Sequence, residues 1–417
     1  MTDKLTSETV RIRPRILCLT SHNLDGPDHG ATLRARNLFQ LLARIGEVRV
    51  VLAGPFEEGI ETATKSLGGF ELVDVVRFHP TRLRLVPDRF RYEFDPRFLD
   101  THGLQACSSD RTRLRSLMAC HDLVWIHGLR IANGCGFWRW PNSVLDIDDI
   151  PSGFHRTEME EAAGAIQKLR CYRQVLQWRR REKTLLERFE AVCVCSEADR
   201  RELGGTDRVF VVPNGFALPK QTPVRRPATP PRIGFVGNFQ YKPNRQGIGW
   251  FINRVWPLIL KVMPQTRLRL VGNGSENEPW RTCQNADGLG WIADLEGEMA
   301  TWSLAIVPVF VGGGTRVKIP AAFSRKCPMV STALGAYGYE VVAGRDLLIA
   351  DSVEDFASSC LRILQDAAEG ERLAESGWQK FLSQWTWDAL ANRVETVVGA
   401  VLERSKIKAR SEAPAIQ

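Results

Sequence analysis

Three absences bound what this chain of 417 residues can be. No uninterrupted apolar stretch reaches the ~18 residues that a membrane-crossing helix requires. The opening from Met1 to Arg15 is polar and lacks the apolar core of a secretory leader. The ten cysteines follow no C-x-x-C or other zinc-binding spacing. Cys18, Cys193 and Cys195 fall inside apolar runs that read as buried strands, the setting of reduced packing residues. The expectation is a cytoplasmic chain with no disulfide, no structural metal and no bound cofactor. A nucleic-acid signature is also missing: there is no basic repeat interleaved with aromatics and no helix-turn-helix pattern, so no nucleic-acid partner is expected.

What is present is ordinary for a globular protein, with hydrophobic residues at 44% and charged residues at 25%. The length exceeds what one hydrophobic core serves and suits two domains. A net charge of +8 favours acidic partners such as phosphorylated substrates or an anionic membrane surface. The excess is densest between Arg77 and Arg97, where arginines alternate with Phe, Leu, Pro and Tyr. Two readings stay open for that stretch: a peripheral contact with anionic lipid at the inner face of the membrane, or a solvated loop.

Apolar, β-branched runs alternate with helical patterns twice, as in parallel sheets flanked by helices. Strands are expected at Arg15–Thr20, Glu47–Ala53, Leu72–Phe78, Asp122–His127, Ser143–Asp149, Ala191–Ser196 and Arg208–Pro213. A second set is expected at Arg232–Gly237, Arg267–Gly272, Leu304–Phe310 and Pro328–Thr332. Ala31, Ala35, Leu38, Leu42 and Ile45 recur at helical spacing between the first two strands, and a helix is expected at Asn244–Val262. Between the sets, Leu218 to Pro231 holds five prolines without periodicity and reads as a linker. The division is therefore 1–14 disordered, 15–217 and 232–385 as two doubly wound α/β domains joined by 218–231, 386–405 as a terminal helix and 406–417 as a disordered tail. In such sheets ligands lie beyond the carboxyl ends of the strands, so two facing domains place the site in the cleft between them.

The segment Gly312-Gly313-Gly314-Thr315-Arg316-Val317-Lys318 carries the strongest chemical signal. It precedes a helix that opens near Lys318, with Pro320 in the first turn, where a missing N–H costs little. A helix N-terminus already bears partial positive charge, so Arg316 and Lys318 are each unfavourable there by roughly 0.3–1 kcal/mol unless an anion sits among them. A phosphate or diphosphate meets that need, cradled by glycine N–H groups. A glycine turn with two solvated cations is the alternative.

Six matches in order carry a family resemblance: Pro14–Thr20 followed by Gly30-Ala31-Thr32-Leu33-Arg34; Leu145–Ser152; Val211-Val212-Pro213-Asn214-Gly215; Gly234–Asn238 with Lys242-Pro243-Asn244; Gly312–Lys318; and Pro328–Gly335. Together they resemble the GT-B glycosyltransferases, in particular retaining family 4 and its bacterial exopolysaccharide and cell-envelope members. The resemblance implies transfer of a sugar from a nucleotide-diphosphate sugar to a glycan, lipid-linked or small-molecule acceptor, with retention and without metal. It implies catalytic roles for His127, Arg316 and Lys318. The donor would contact Gly30, Ala31, Gly237, Asn238, Lys242, Gly312, Gly313, Gly314, Thr315 and Glu340. The acceptor would contact Asp148, Asp149 and Arg34, although the two aspartates could equally cap the following helix. Asp146 and Asp148 are expected on one face of a strand, a weak magnesium signal.

One departure matters. Relatives place a ribose-binding glutamate where this chain has Ala321, with a partner position at Gly313; Glu340 is a candidate substitute. Ala321 favours an alternative reading, a GT-B relative doing other nucleotide-sugar chemistry, such as epimerisation, or only binding the nucleotide sugar.

Overall fold

The computed structural model describes residues 13–25, 30–57, 66–81, 86–100, 102–160, 162, 164–277, 279–311 and 317–412. Gly312, Gly313, Gly314, Thr315 and Arg316 lie outside the described residues, as do Arg82 and Arg84 of the basic stretch.

Two sheets of parallel strands organise the chain. In the first, β1 (Arg15–Thr20), β2 (Glu47–Gly54), β3 (Ser66–Leu67), β4 (Phe70–Pro80), β5 (Leu104–Ala106), β6 (Leu123–His127), β7 (Ser143–Asp146), β8 (Ala191–Val194) and β9 (Val209–Val211) take the order β3-β4-β2-β1-β6-β7-β8-β9, with β5 on β4. Only the short β3 and β5 pair antiparallel among the described strands. In the second, β10 (Arg232–Val236), β11 (Arg267–Val271), β12 (Ala286–Gly288), β13 (Leu304–Val307), β14 (Met329–Ser331) and β15 (Leu348–Ile349) take the order β12-β11-β10-β13-β14-β15.

The apolar runs follow from burial on both faces. Leu17 and Leu19 of β1 enter one core and Ile16 and Cys18 the other, so successive residues are all apolar although the pleat alternates. Cys18, Cys193 and Cys195 are fully buried, as expected, and burial pushes all three thiols up.

Proline ends or reshapes two elements. Expected through Phe310, β13 stops at Val307, since Pro308 has no N–H for a ladder and Val309 N–H turns back to the Val307 carbonyl. The helix expected at Asn244–Val262 opens at Lys242 and contains a π-helical stretch, Phe251–Val255, just before Pro257. A proline inside a helix removes one i→i−4 bond and clashes with the preceding turn, and widening that turn absorbs both.

The first domain is completed by the chain's end. The helix Trp387–Glu412 packs Leu390, Val394, Val397 and Val401 against Phe39 and Leu42 of the helix Gly30–Ile45. It runs past Lys406, where disorder was expected to begin. The proline-rich segment is irregular but attached: Arg225 donates to the carbonyls of Trp302 and Ser303, and Arg226 and Ala228 N–H groups bond Ala300 and Thr301.

Gly247 places the helix at Lys242 directly on the second sheet's site face, because a Cβ there would lie 1.7 Å from the Pro308 carbonyl oxygen. We expect Gly247→Ala to cost about 1–3 kcal/mol by overpacking, read as a lower midpoint in chemical unfolding.

Candidate functional site

On the first domain, the carboxyl ends of β1, β6, β7, β8 and β9 converge on one buried charged network. Arg34, only 1% exposed, donates Nε and Nη2 to the two oxygens of Asp146, at 3.0 and 2.6 Å. It also donates to Asn214 Oδ1 at 3.0 Å and to the Val212 carbonyl at 2.9 Å. His127, at the end of β6, sets Nδ1 2.9 Å from Asp146 Oδ2. Burial alone would raise the Asp146 carboxyl, but the Arg34 charge and the bonds from His127 and Arg34 outweigh it and lower it to about 2. An ionised carboxylate only accepts, so Nδ1 of His127 donates to Asp146 and Nε2 is the ring nitrogen left for another partner. The His22 ring packs edge-on against His127, with centroids 5.5 Å apart.

This geometry corrects two expectations. Arg34 was expected at the acceptor, but four donor contacts go to protein groups in the interior, where a fully desolvated cation has to be paired. Asp146 and Asp148 were expected on one face of a strand running to Asp149, with no metal. Instead β7 ends at Asp146, whose oxygens are taken by Arg34 and His127, while half-buried Asp148 accepts from Asn214 Nδ2 at 3.0 Å and Cys195 Sγ at 3.2 Å. Asp149, beside it, is exposed.

On the second domain the loop after β10 and the opening of the helix Lys318–Phe323 are tied together by Asn244. Lys318 Nζ donates to Asn244 Oδ1 at 2.9 Å and lies 5.4 Å from the Phe235 ring centroid. Asn244 Nδ2 in turn donates to the Asn238 carbonyl at 2.8 Å. Lys242 opens its helix exposed to solvent, and Asn238 is exposed one residue beyond Gly237. Gly272, at φ +123, lets β11 end against that turn, since a Cβ there would lie 2.1 Å from the Gly237 carbonyl oxygen. Glu340 is exposed in an irregular stretch after β14, and Ala321 is half-buried in the Lys318 helix with its carbonyl bonded by Arg325 and Ser324. Gly30 and half-buried Ala31 begin the first helix, just after the described end of the β1 loop.

The structure thus brings His127 and Asp148 together through Asp146, Arg34 and Asn214, and separately brings Asn238 and Lys318 together through Asn244. Sequence reading missed the roles of His22, Asn244 and Asn214 as connectors. The motifs Lys242-Pro243-Asn244 and Val211–Gly215 contained two of them, and only their spatial partners reveal what they hold.

A further cluster lies on the β4–β5 extension, where atoms of His79, Cys107 and Asp110 approach within 4.8 Å of one another. Asp110 there already accepts from Arg77 N–H at 3.1 Å and pairs with Arg113 at 2.9 Å.

Across the cleft, Tyr337 of the second domain reaches Asp199 at the first turn of the helix Glu197–Glu202, O···O 3.5 Å. The two chain crossings also run side by side, with Phe216 N–H bonding the Trp385 carbonyl at 2.7 Å.

Residues 230–366 match the family described as glycosyl transferases group 1. Over 373 residues the chain is 23% identical to an uncharacterised 44.6 kDa protein in the cps region of Klebsiella pneumoniae, covering 83% of this chain and 90% of that one. In structure it is similar to sucrose-phosphate synthase from Thermosynechococcus elongatus, with TM-score 0.62, 17% identity, and 95% and 100% of the two chains covered. It is also similar to Anabaena HepE in complex with UDP and glucose, with TM-score 0.59, 13% identity, and 93% and 99% covered. The second domain is therefore similar in sequence to glycosyl transferases group 1, within a chain that has the two-domain GT-B fold.

Proposed function

We propose that this protein is a glycosyltransferase that moves a sugar from a nucleotide-diphosphate sugar to a glycan, lipid-linked or small-molecule acceptor, with retention of configuration and without a metal. The observation that carries this reading is the group 1 match, whose span includes Asn238, Lys242, Asn244 and Lys318. In parallel sheets ligands sit beyond the carboxyl ends of the strands, which supports a shared site for that cluster, after β10 and β13, and for His127 at the end of β6. HepE, with the same fold, binds UDP and glucose, which supports a uridine or related nucleotide sugar as donor.

The chemistry asks for charge where the diphosphate leaves. Lys318 supplies one cation, held by Asn244 and the Phe235 ring, and Arg316 with the glycine N–H groups is proposed to supply the rest. His127 is proposed to contact the donor sugar through Nε2, its ring oriented by Asp146. The relative in a cps region supports a role in polysaccharide assembly.

A peripheral membrane contact belongs to the same proposal. No described helix is long and apolar enough to cross a membrane. Phe90, Phe94, Ile166 and Leu169 are each more than half exposed on the helices Val86–Phe94 and Ala165–Glu182, which Glu93 joins through Arg173 and Gln177. Apolar side chains among arginines suit an anionic lipid surface.

The test is product analysis with a panel of UDP-, GDP- and dTDP-sugars, with and without acceptor, after a thermal-shift screen. Saturating donor at about 100 times its dissociation constant stabilises by ~2.7 kcal/mol, enough to see as a raised melting temperature. We expect free nucleotide diphosphate and a glycoside of unchanged anomeric configuration, with the rate insensitive to EDTA. Isomerised sugar without transfer, or binding without turnover, would instead support the reading that the alanine at position 321 favours.

A further inference from the structure

A cavity of about 750 Å³ opens where Tyr337 of the second domain meets the first domain's helices Pro151–Glu160, Ala165–Glu182 and Glu197–Glu202. Arg156, Arg179, Lys183 and Arg201 line it from all three helical segments. Arg156 is neutralised by Glu202, at 2.9 Å. Arg179, Lys183 and Arg201 make no ion pair among the described residues.

A helix C-terminus accounts for Arg179 and Lys183 individually, since cations are favoured in a last turn. It does not account for their meeting Arg201 from a separate helix. Convergent like charges repel unless an anion or bulk water separates them.

The acids present do not fill that role. Glu182 is 8% exposed and turns its oxygens to Ser152, accepting from the backbone N–H at 2.8 Å and the hydroxyl at 2.6 Å. Burial pushes the Glu182 and Asp199 carboxyls up. Tyr337, pushed up to about 12 by burial and by Asp199, keeps its proton and remains a donor. Among the described residues the lining therefore offers three cations outside any ion pair, Arg201 with only its Nε engaged, on the Glu197 carbonyl at 3.3 Å, beside a Tyr337 hydroxyl that donates to Asp199. The helices Pro151–Glu160 and Glu197–Glu202 are the first after β7 and β8, so the cavity lies on the side of the sheet where the carboxyl ends of those strands emerge.

We propose that this cavity binds the anionic group of the acceptor, a phosphate or a carboxylate, making the acceptor class a charged one. The inference rests on the glycosyltransferase reading for the word acceptor, and on the cavity alone for the anion. The donor's diphosphate is assigned to Lys318 on the opposite domain, so the two anions would approach the cleft from different sides. Tyr337, held by Asp199, brings the second domain to the edge of the cavity.

The experiment uses full-length protein with pyrophosphate and glucuronate as probes, followed by calorimetry, alongside UDP binding. Wild type is expected to bind pyrophosphate at two sites. Lys318→Gln should remove one, and Arg179→Gln combined with Lys183→Gln should weaken the other at least tenfold, about 1.4 kcal/mol, while UDP affinity stays within about twofold. Arg201→Gln provides an independent variant with the same expected loss, and all three side chains are on the surface, so circular dichroism should show an unchanged fold. Binding of pyrophosphate without glucuronate assigns a phosphate, and the reverse assigns a carboxylate. A single pyrophosphate site that vanishes with Lys318→Gln, a second site indifferent to the cavity variants, or binding of neither probe there overturns the proposal. If no nucleoside diphosphate binds wild type while the cavity site responds as expected, the donor reading fails and the anion site stands.

Discussion

Asp146→Asn should be among the most destabilising single substitutions in the first domain, by about 3–5 kcal/mol, because it leaves the Arg34 guanidinium buried without its counter-charge. The pair is fully desolvated and the asparagine amide can at best return one neutral bond where two charge-assisted ones stood. Chemical unfolding at neutral pH measures the loss. Arg34→Met together with Asp146→Leu should recover much of it, since removing both charges also removes both desolvation costs. A single substitution within 1 kcal/mol of wild type would mean that water reaches Arg34, contrary to its burial.

The same carboxylate sets an acid limit. Its folded value of about 2 lies below the ~3.9 of an unfolded aspartate, so the unfolded chain binds more protons on acidification. The stabilisation, roughly 2–3 kcal/mol, is present above pH ~4 and is lost as pH falls through the folded value. Wild type should therefore lose stability between about pH 5 and 1 in a step that the doubly apolar variant lacks.

Lys318→Gln should lower turnover tenfold or more, ~1.4 kcal/mol of transition-state stabilisation, because it removes a cation from the place where diphosphate charge is proposed to develop. From sequence, an isolated cation at a helix N-terminus predicts that its removal raises the melting temperature. The structure changes that expectation. Asn244 and the Phe235 ring already compensate the charge, and a glutamine keeps part of the Asn244 bond, so ligand-free stability should stay within about 1 kcal/mol of wild type. Steady-state kinetics beside thermal unfolding separates the two effects. Unchanged turnover with unchanged nucleotide affinity would remove Lys318 from the mechanism.

Much of the architecture was legible in the residues. Ile16 to Leu19 or Leu304 to Val307 can be buried on both faces only in a parallel sheet covered by helices, so composition and length select the fold class. Pro308 limits β13, and the proline-rich run at 218–231 prohibits regular structure there, for reasons local to each residue. Gly312 to Arg316, on which the phosphate argument stands, lie outside the described residues and are read from their glycines and charge.

What only the tertiary structure decided is the identity of partners. Arg34 and Asp146 are 112 positions apart, Arg34 and Asn214 180 apart, and Lys318 and Asn244 74 apart. A pattern with period 2 or 3.6 reports which face a side chain takes, and carries nothing about what waits on the far side of a core. For that reason Arg34 read as a contact for the acceptor and Asp146 as one acid on a strand face, when burial makes each the other's counter-charge. The closing helix, Trp387–Glu412, has the same origin: its apolar stripe determines that it packs, and only the path of the chain returns it to Phe39 and Leu42 of the first domain.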